Sequence, residues 1–298
     1  MTPSLAVVGP GAIGTTVAAA LHEVGRTPLL YGRTARDSLE LRDADGSVVV
    51  SGPVIVDPAA AAPVDIVFLA VKATQIAAAA PWLTALGRPG TVVCVLQNGV
   101  EQEAMVASYV PGCPVVPAVV WFPAVAQSDG AVLLRGSPRL TLPDAPAAAV
   151  VAEALRGTRV SVELSADFTS VAWRKLLQNA AAGLMALTGR PSGMYRRDDI
   201  GALALAYLRE CLAVARAEGA VLGDDVPEEL LDGFRSSPTD LGTSILADRV
   251  AGRPLEWDVR NGVIQRRGRA HGIPTPISDV VVALLAAASD DIQSSGQR

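Results

Sequence analysis

Lys175 and Asn179 stand four residues apart in SVAWRKLLQNAAAG, residues 170–183, beside Leu176, Ala180 and Gly183. On a helix this spacing puts the ammonium and the amide on one face. Held beside a cleft, an ammonium can protonate a carbonyl oxygen as hydride reaches the carbon, while the amide holds that oxygen or a neighbouring group. An amphipathic helix with one exposed lysine would read the same way. Further along, TSILADRVAGRPLEWD, residues 243–258, sets Ser244 and Asp248 four apart, breaks at Gly252 and Pro254, and then delivers Glu256 ahead of Trp257. A carboxylate near a cleft lysine keeps it charged and can accept a hydrogen bond from a substrate hydroxyl. Glu256 could equally be an acid stabilised at a helix N-terminus. Spacing does not separate the two.

Protonating a carbonyl is useful only with a hydride source, and the start of the chain offers a place for one. In SLAVVGPGAIGTTVAAAL, residues 4–21, Gly9, Gly11 and Gly14 follow an apolar run and precede an alanine-rich stretch, with Ala12 and Ile13 between the last two glycines. Strand, G-x-G-x-x-G and helix in that order form a dinucleotide turn: one glycine for the tight bend, one for approach to a pyrophosphate, one for close packing. The pyrophosphate would rest on the helix N-terminus. The next strand runs into GRTAR, and no acid appears before Asp37, where an NAD site would place Asp or Glu on the ribose. Arg33 suits the 2′-phosphate of NADP, although a solvated surface arginine is the plain alternative.

These groups need elements to carry them. Strand-like runs fall at Leu5–Val8, Thr27–Tyr31, Ile66–Val71, Val92–Leu96 and Val115–Trp121, alternating with helical stretches. An antiparallel pair is expected around Ala131–Arg135 and Arg139–Leu142, then a helix over Ala145–Leu155 and a last strand over Val160–Leu164. From Asp167 onward the pattern is helical, including Arg197–Gly219 and Ile245–Ala251. The expected fold class is α/β: an N-terminal NADP-binding Rossmann domain over 1–165 and a mainly α-helical substrate and catalytic domain over 166–298. Lys72 closes DIVFLAVK and Asn98 follows VVCVLQ, so both stand at carboxyl ends of central strands, where ligands of open α/β sheets bind. Snorkelling of Lys72 and a simple Asn98-Gly99 turn are the structural alternatives.

Composition narrows the class. The chain has 298 residues, half of them hydrophobic, and a net charge of −5, which disfavours a nucleic-acid binder relying on broad positive charge. Arg266, Arg267 and Arg269 form the densest basic cluster, without interleaved aromatics. Cys94, Cys113 and Cys211 are too few and scattered for a disulfide framework or a thiolate metal site, so no metal is expected. The apolar run Val64–Val71 contains Asp65 and ends at Lys72, far short of a span of about 20 residues. With no secretory pattern before the glycine turn, a soluble cytoplasmic protein without a membrane partner is expected.

Taken in chain order, GPGAIG, Arg33, VKATQ, LQNGV, WRKLLQN and SILADRVAGRPLEWDVRNGVIQRRGRAHGIPTP resemble the ketopantoate reductase (2-dehydropantoate 2-reductase) family from Gly9 to about Pro276. The resemblance implies an NADP-dependent oxidoreductase of pantothenate biosynthesis that reduces a 2-oxo acid, 2-dehydropantoate to pantoate being the leading pair. It implies Lys175 as general acid and Glu256 as its partner and substrate anchor. Asn179 and Ser244 would bind the substrate's hydroxyl or carboxylate, Lys72 and Asn98 would lie at the nicotinamide and substrate, and Gln75 would touch the cofactor. The partner is then a small keto acid, with a homodimer left open. A reductase of another ketone or keto acid is the alternative within the superfamily. A non-catalytic NADP-binding redox sensor is the alternative of another class, and it would need the glycine turn and Arg33 but not Lys175 or Glu256. One departure stands out: a second asparagine, typical four residues after the one matching Asn179, is Gly183 here. Its loss is expected to open space and to bear on substrate choice. Cofactor-side and acid-side residues fall in different domains, so a site completed by domain closure is expected.

Overall fold

The central strands bury every side chain, and alternate residues serve two different cores. In the computed structural model, which describes residues 3–295, Leu5 and Val7 of β1 (Leu5–Val8) join one apolar cluster while Ala6 and Val8 join another. A sheet covered on both faces needs such unbroken apolar runs. The chain continues through α1 (Ala12–Glu23), β2 (Leu29–Tyr31), the hairpin of β3 (Ser38–Asp43) and β4 (Gly46–Ser51), β5 (Val54–Ile55), β6 (Ile66–Leu69), α2 (Ile76–Leu86), β7 (Val92–Val95), α3 (Gln102–Ala107) and β8 (Val115–Pro117). Six strands form one sheet in the order β5-β2-β1-β6-β7-β8, each neighbouring pair parallel. From β1 the chain moves outward to β2 and β5, then returns to β6 on the other side of β1. The order therefore reverses between β1 and β6, where a doubly wound sheet opens its ligand crevice. This is a Rossmann arrangement.

Smaller sheets complete the first unit, which ends at Phe168, and here several expectations are corrected. Val115–Trp121 is not one strand: the chain leaves β8 at Ala118, and β9 (Val119–Val120) belongs to a different sheet. The expected antiparallel pair does not form either. β11 (Val132–Leu134) pairs antiparallel with β10 (Ala124–Ala126) and parallel with β3, whereas β12 (Arg139–Pro143) pairs antiparallel with β9 and parallel with β13 (Ser161–Ser165), which follows α4 (Pro146–Leu155). Two short apolar runs beside each other looked like a hairpin, but β11 closes its hairpin with the preceding β10 and reaches back to β3, while β12 is claimed by β9 and β13. The β3–β4 hairpin was readable and missed. Leu39, Leu41, Val48 and Val50 alternate around a turn whose Asp43 carboxylate accepts from the Asp45 and Gly46 amides, and Asp45-Gly46 is a strong hairpin signal.

The second unit, beginning at Thr169, is mainly helical: α5 (Phe168–Thr188), α6 (Asp198–Ala217), α7 (Val226–Ser236), α8 (Ser244–Val250), a π turn at Asp258–Gly262, α9 (Val263–His271) and α10 (Pro276–Ser295). α5 buries Trp173, Leu176, Leu177, Ala180, Ala181, Leu184 and Met185. The Tyr195 hydroxyl donates to the Ala181 carbonyl at 2.7 Å, and its ring stacks on Phe234 at 4.6 Å. Arg266 pairs with Asp258, while Arg267 approaches Glu218 at 3.7 Å and Arg269 approaches Asp279 at 3.4 Å. Among the described residues no helix is long and apolar enough to cross a membrane.

Candidate active site

In the first unit the glycine turn is built from backbone. Gly9 has φ +88°, and a Cβ there would lie 2.6 Å from Val71 Cγ1 and 2.8 Å from the Val71 nitrogen. Its amide donates to the Tyr31 carbonyl at 2.8 Å, so the ends of β1, β2 and β6 converge on one residue that has to be glycine. A Cβ on Gly14 would run into the Gly9 carbonyl oxygen and come within 3.1 Å of Val7 Cγ1. Gly11 differs. Nothing lies within 4 Å of a Cβ built on it, it is exposed, and as N-cap of α1 it offers no side chain to the helix amides. With no acid in the first turn, the amides after Gly11, including Ala12 and Ile13, keep their donors for an anion. This cradle fits a dinucleotide pyrophosphate.

Around it stand the other first-unit residues. Arg33 is exposed two residues beyond β2. Lys72 is partly buried at the end of the segment following β6, and its amide donates to Gln75 Oε1 at 3.3 Å, which gives Gln75 a local bracing role. Asn98 is partly buried after β7. Two glutamines hold this loop pair. Gln97 Nε2 donates to the Val71 carbonyl at 2.8 Å, and Gln102 Nε2 donates to the carbonyls of Gln97 and Gly99 at 3.1 and 2.8 Å. Both supporting residues escaped the sequence reading, because glutamine near a turn carries no distinctive spacing.

The second unit gathers charged side chains instead. Lys175 on α5 is partly buried, and desolvation, aided by the positive charge of Arg260, brings its pKa down to about 8. Asn179, one turn on, is buried. Glu256 is 6% exposed and Asp248 3%, and the Asp248 carboxylate accepts from Arg253 Nε at 3.0 Å. Between these acids lies a residue the sequence reading did not single out. Arg260 is 2% exposed, its Nη2 donates to Ser244 Oγ at 2.7 Å, and Glu256 and Asp248 both favour its charge against the cost of burial. The π turn makes this placement practicable: Val259, Arg260, Asn261 and Gly262 are all buried in succession. Such turns are frequent at functional sites. Arg260 stands four residues after Glu256, the same spacing that drew notice to Lys175 and Asn179.

Gly183 corrects an expectation. It does not open space, since a Cβ there would lie 2.8 Å from Asn261 Nδ2 and 3.2 Å from Leu285 Cδ1. Asn261 is fixed in place by donating to the Ala180 carbonyl and to the Tyr207 hydroxyl, both at 3.0 Å. An amide already fills the room beside Gly183.

Comparison with known proteins covers both units. The family model for ketopantoate reductase PanE/ApbA matches residues 5–147, and that for its C-terminal region matches residues 167–289. A 2-dehydropantoate 2-reductase from Mycobacterium tuberculosis is 58% identical over 292 residues, covering 97% of this chain and 99% of the relative. One from Caulobacter vibrioides is 39% identical over 287 residues, covering 96% and 99%. Among solved structures, dimeric ketopantoate reductase from Staphylococcus aureus superposes with a TM-score of 0.88 at 26% identity, covering 97% of this chain and 99% of that one.

Proposed function

The chain belongs to the ketopantoate reductase family, and on that premise we propose that it reduces 2-dehydropantoate to pantoate with NADPH, using Lys175 as the general acid. It is an oxidoreductase of the dinucleotide-dependent kind acting on a keto/hydroxy pair. The observation that carries the acid assignment is Lys175 itself, a partly buried ammonium one helical turn from the buried Asn179, with a pKa of about 8. Near neutral pH such a group is mostly protonated yet gives up its proton readily, which is what a general acid requires.

The first unit is proposed as the cofactor domain. Gly9, Gly11, Ala12, Ile13 and Gly14 hold the pyrophosphate, Arg33 binds the 2′-phosphate, and Lys72, Gln75 and Asn98 line the nicotinamide side. The nicotinamide supplies the hydride. On the second unit, Lys175 delivers its proton to the oxygen of the reduced carbonyl and is recharged from water. Glu256 keeps that ammonium charged between turnovers and anchors the substrate hydroxyl, while Asn179 and Ser244 orient the substrate. Expected partners are the keto acid and, by analogy with the dimeric S. aureus protein, a second copy of the chain. A reducing cytoplasmic location agrees with three free cysteines.

A panel of 2-oxo acids with NADPH, followed at the nicotinamide absorbance, tests the reading. The highest kcat/KM is expected for 2-dehydropantoate. Tight NADPH binding with no turnover of any 2-oxo acid would replace the enzyme by a cofactor-binding sensor.

A further inference from the structure

Ser244 is exposed on the first turn of α8, and the buried guanidinium of Arg260 lies directly behind it. A guanidinium only donates, so Ser244 Oγ must accept the 2.7 Å bond from Nη2. The hydroxyl proton is then left to point away from Arg260, as a donor. Local charge favours an anion as its acceptor: Lys175, Arg253 and Arg260 are cationic, against Asp248 and Glu256, and Arg253 already neutralises Asp248. Nor is Arg260 placed like an ordinary structural ion-pair residue, because its buried Nε has no hydrogen-bond partner. Buried donors are nearly always satisfied, so an arginine kept in this state is held for position and charge.

We propose that Arg260 is a positioning residue that fixes Ser244 as a hydrogen-bond donor backed by positive charge, and so makes the site select substrates carrying a carboxylate next to the ketone. The proposal rests on the reductase reading above and names what would set its substrate class. No new contact between Arg260 and substrate is required. The charge acts through the serine, and the carboxylate is recognised by the hydroxyl.

The test compares 2-dehydropantoate with its uncharged lactone in the full-length enzyme, the Arg260→Met variant and the Arg260→Lys variant. In Arg260→Met, KM for the acid should rise by about 10- to 100-fold, the worth of a charge-assisted bond, with a smaller change in kcat. KM for the lactone should change little, so the acid-over-lactone preference collapses, and Arg260→Lys should restore part of it. NADPH affinity, read by nucleotide fluorescence, should stay constant and so report an intact first unit. Equal losses for acid and lactone, or a preference unchanged in Arg260→Met, would overturn the proposal. If Arg260→Met does not fold, Arg260→Lys decides alone: an acid preference between wild type and unity supports it, and loss of both substrates in proportion refutes it. Failure of the reductase reading has a different signature, with wild type turning over neither compound. Calorimetric titration of the NADP+-loaded protein with pantoate then decides: binding lost in Arg260→Met supports the anion role, and binding absent or unchanged ends it.

Discussion

The glycine turn of the first unit and the charged cluster of the second do their work with different materials. The turn is contiguous, six residues long, and made of amides whose exposure depends on missing side chains: Gly9 and Gly14 are closed in by Val71 and the Gly9 carbonyl, while Gly11 faces open space. The cluster joins residues up to 85 positions apart, Lys175 to Arg260, and consists wholly of side chains held by α5, α8, the π turn and the loop that precedes it. A backbone site survives substitutions around it but not within it. A side-chain site can be retuned one residue at a time, so on the proposed reading the second unit is where chemistry and selectivity would be adjusted.

The widest separation between the two regions should come from Lys175→Ala. Turnover is expected to fall about 10²–10⁴-fold, the usual contribution of a positioned acid, while NADPH affinity stays near wild type. Loss of NADPH binding in that variant would erase the functional division between the units. Arg33→Ala is the reciprocal experiment, with a smaller effect. It should weaken NADPH by about 1.5–3 kcal/mol and NADH hardly at all, leaving kcat at saturating cofactor unchanged. Equal weakening of both dinucleotides would remove the 2′-phosphate assignment.

Next in size is Gly183→Asn. Because Asn261 cannot yield without losing its bonds to Ala180 and Tyr207, the added side chain should overpack α5 against the π turn and cost about 1–3 kcal/mol of stability, seen as a lower denaturant midpoint. A stable variant with improved activity would mean that room for an amide exists there after all.

How far the sequence could be read follows from the same contrast. The turn at Gly9 to Gly14 was legible because glycine spacing, strand and helix are all local, and Leu5–Val8, Ile66–Leu69 and Val92–Val95 were legible because burial on two faces leaves unbroken apolar runs. The partners of β11 and β12 were not, since nothing local tells Val132–Leu134 to join Ser38–Asp43 across some ninety residues. Lys175, Asn179, Ser244 and Glu256 were proposed from type, spacing and family likeness, and the fold places them all in the second unit. Arg260 was overlooked because an arginine in DVRNG looks like any surface arginine until a π turn directs it inward. Gly183 misled for a similar reason, as the Asn261 amide that fills its surroundings comes from 78 positions away.

The pH dependence is a graded effect, small within a unit of neutrality, and bears most directly on Lys175. Burial and the Arg260 charge lower its pKa from the ordinary 10.5 to about 8, so the acid form is half depleted there, and kcat/KM for reduction should fall roughly tenfold per pH unit above that point. Cofactor affinity, which the proposed reading assigns to backbone amides and Arg33, should stay flat over the same range. Linkage adds a second readout of opposite sense. A lysine whose folded pKa lies below its unfolded value binds more protons when unfolded between pH 8 and 10.5, so its burial destabilises the fold at neutral pH and ceases to do so as pH rises through that window. Lys175→Met should therefore be more stable than wild type at pH 7, by roughly 1–3 kcal/mol, with the difference shrinking above pH 8. An inactive Lys175→Met protein with that pH-dependent gain would identify the lysine as a group kept for chemistry at a cost to the fold. A variant no more stable than wild type at pH 7 would mean the ammonium is well solvated, and the acid assignment would lose its physical basis.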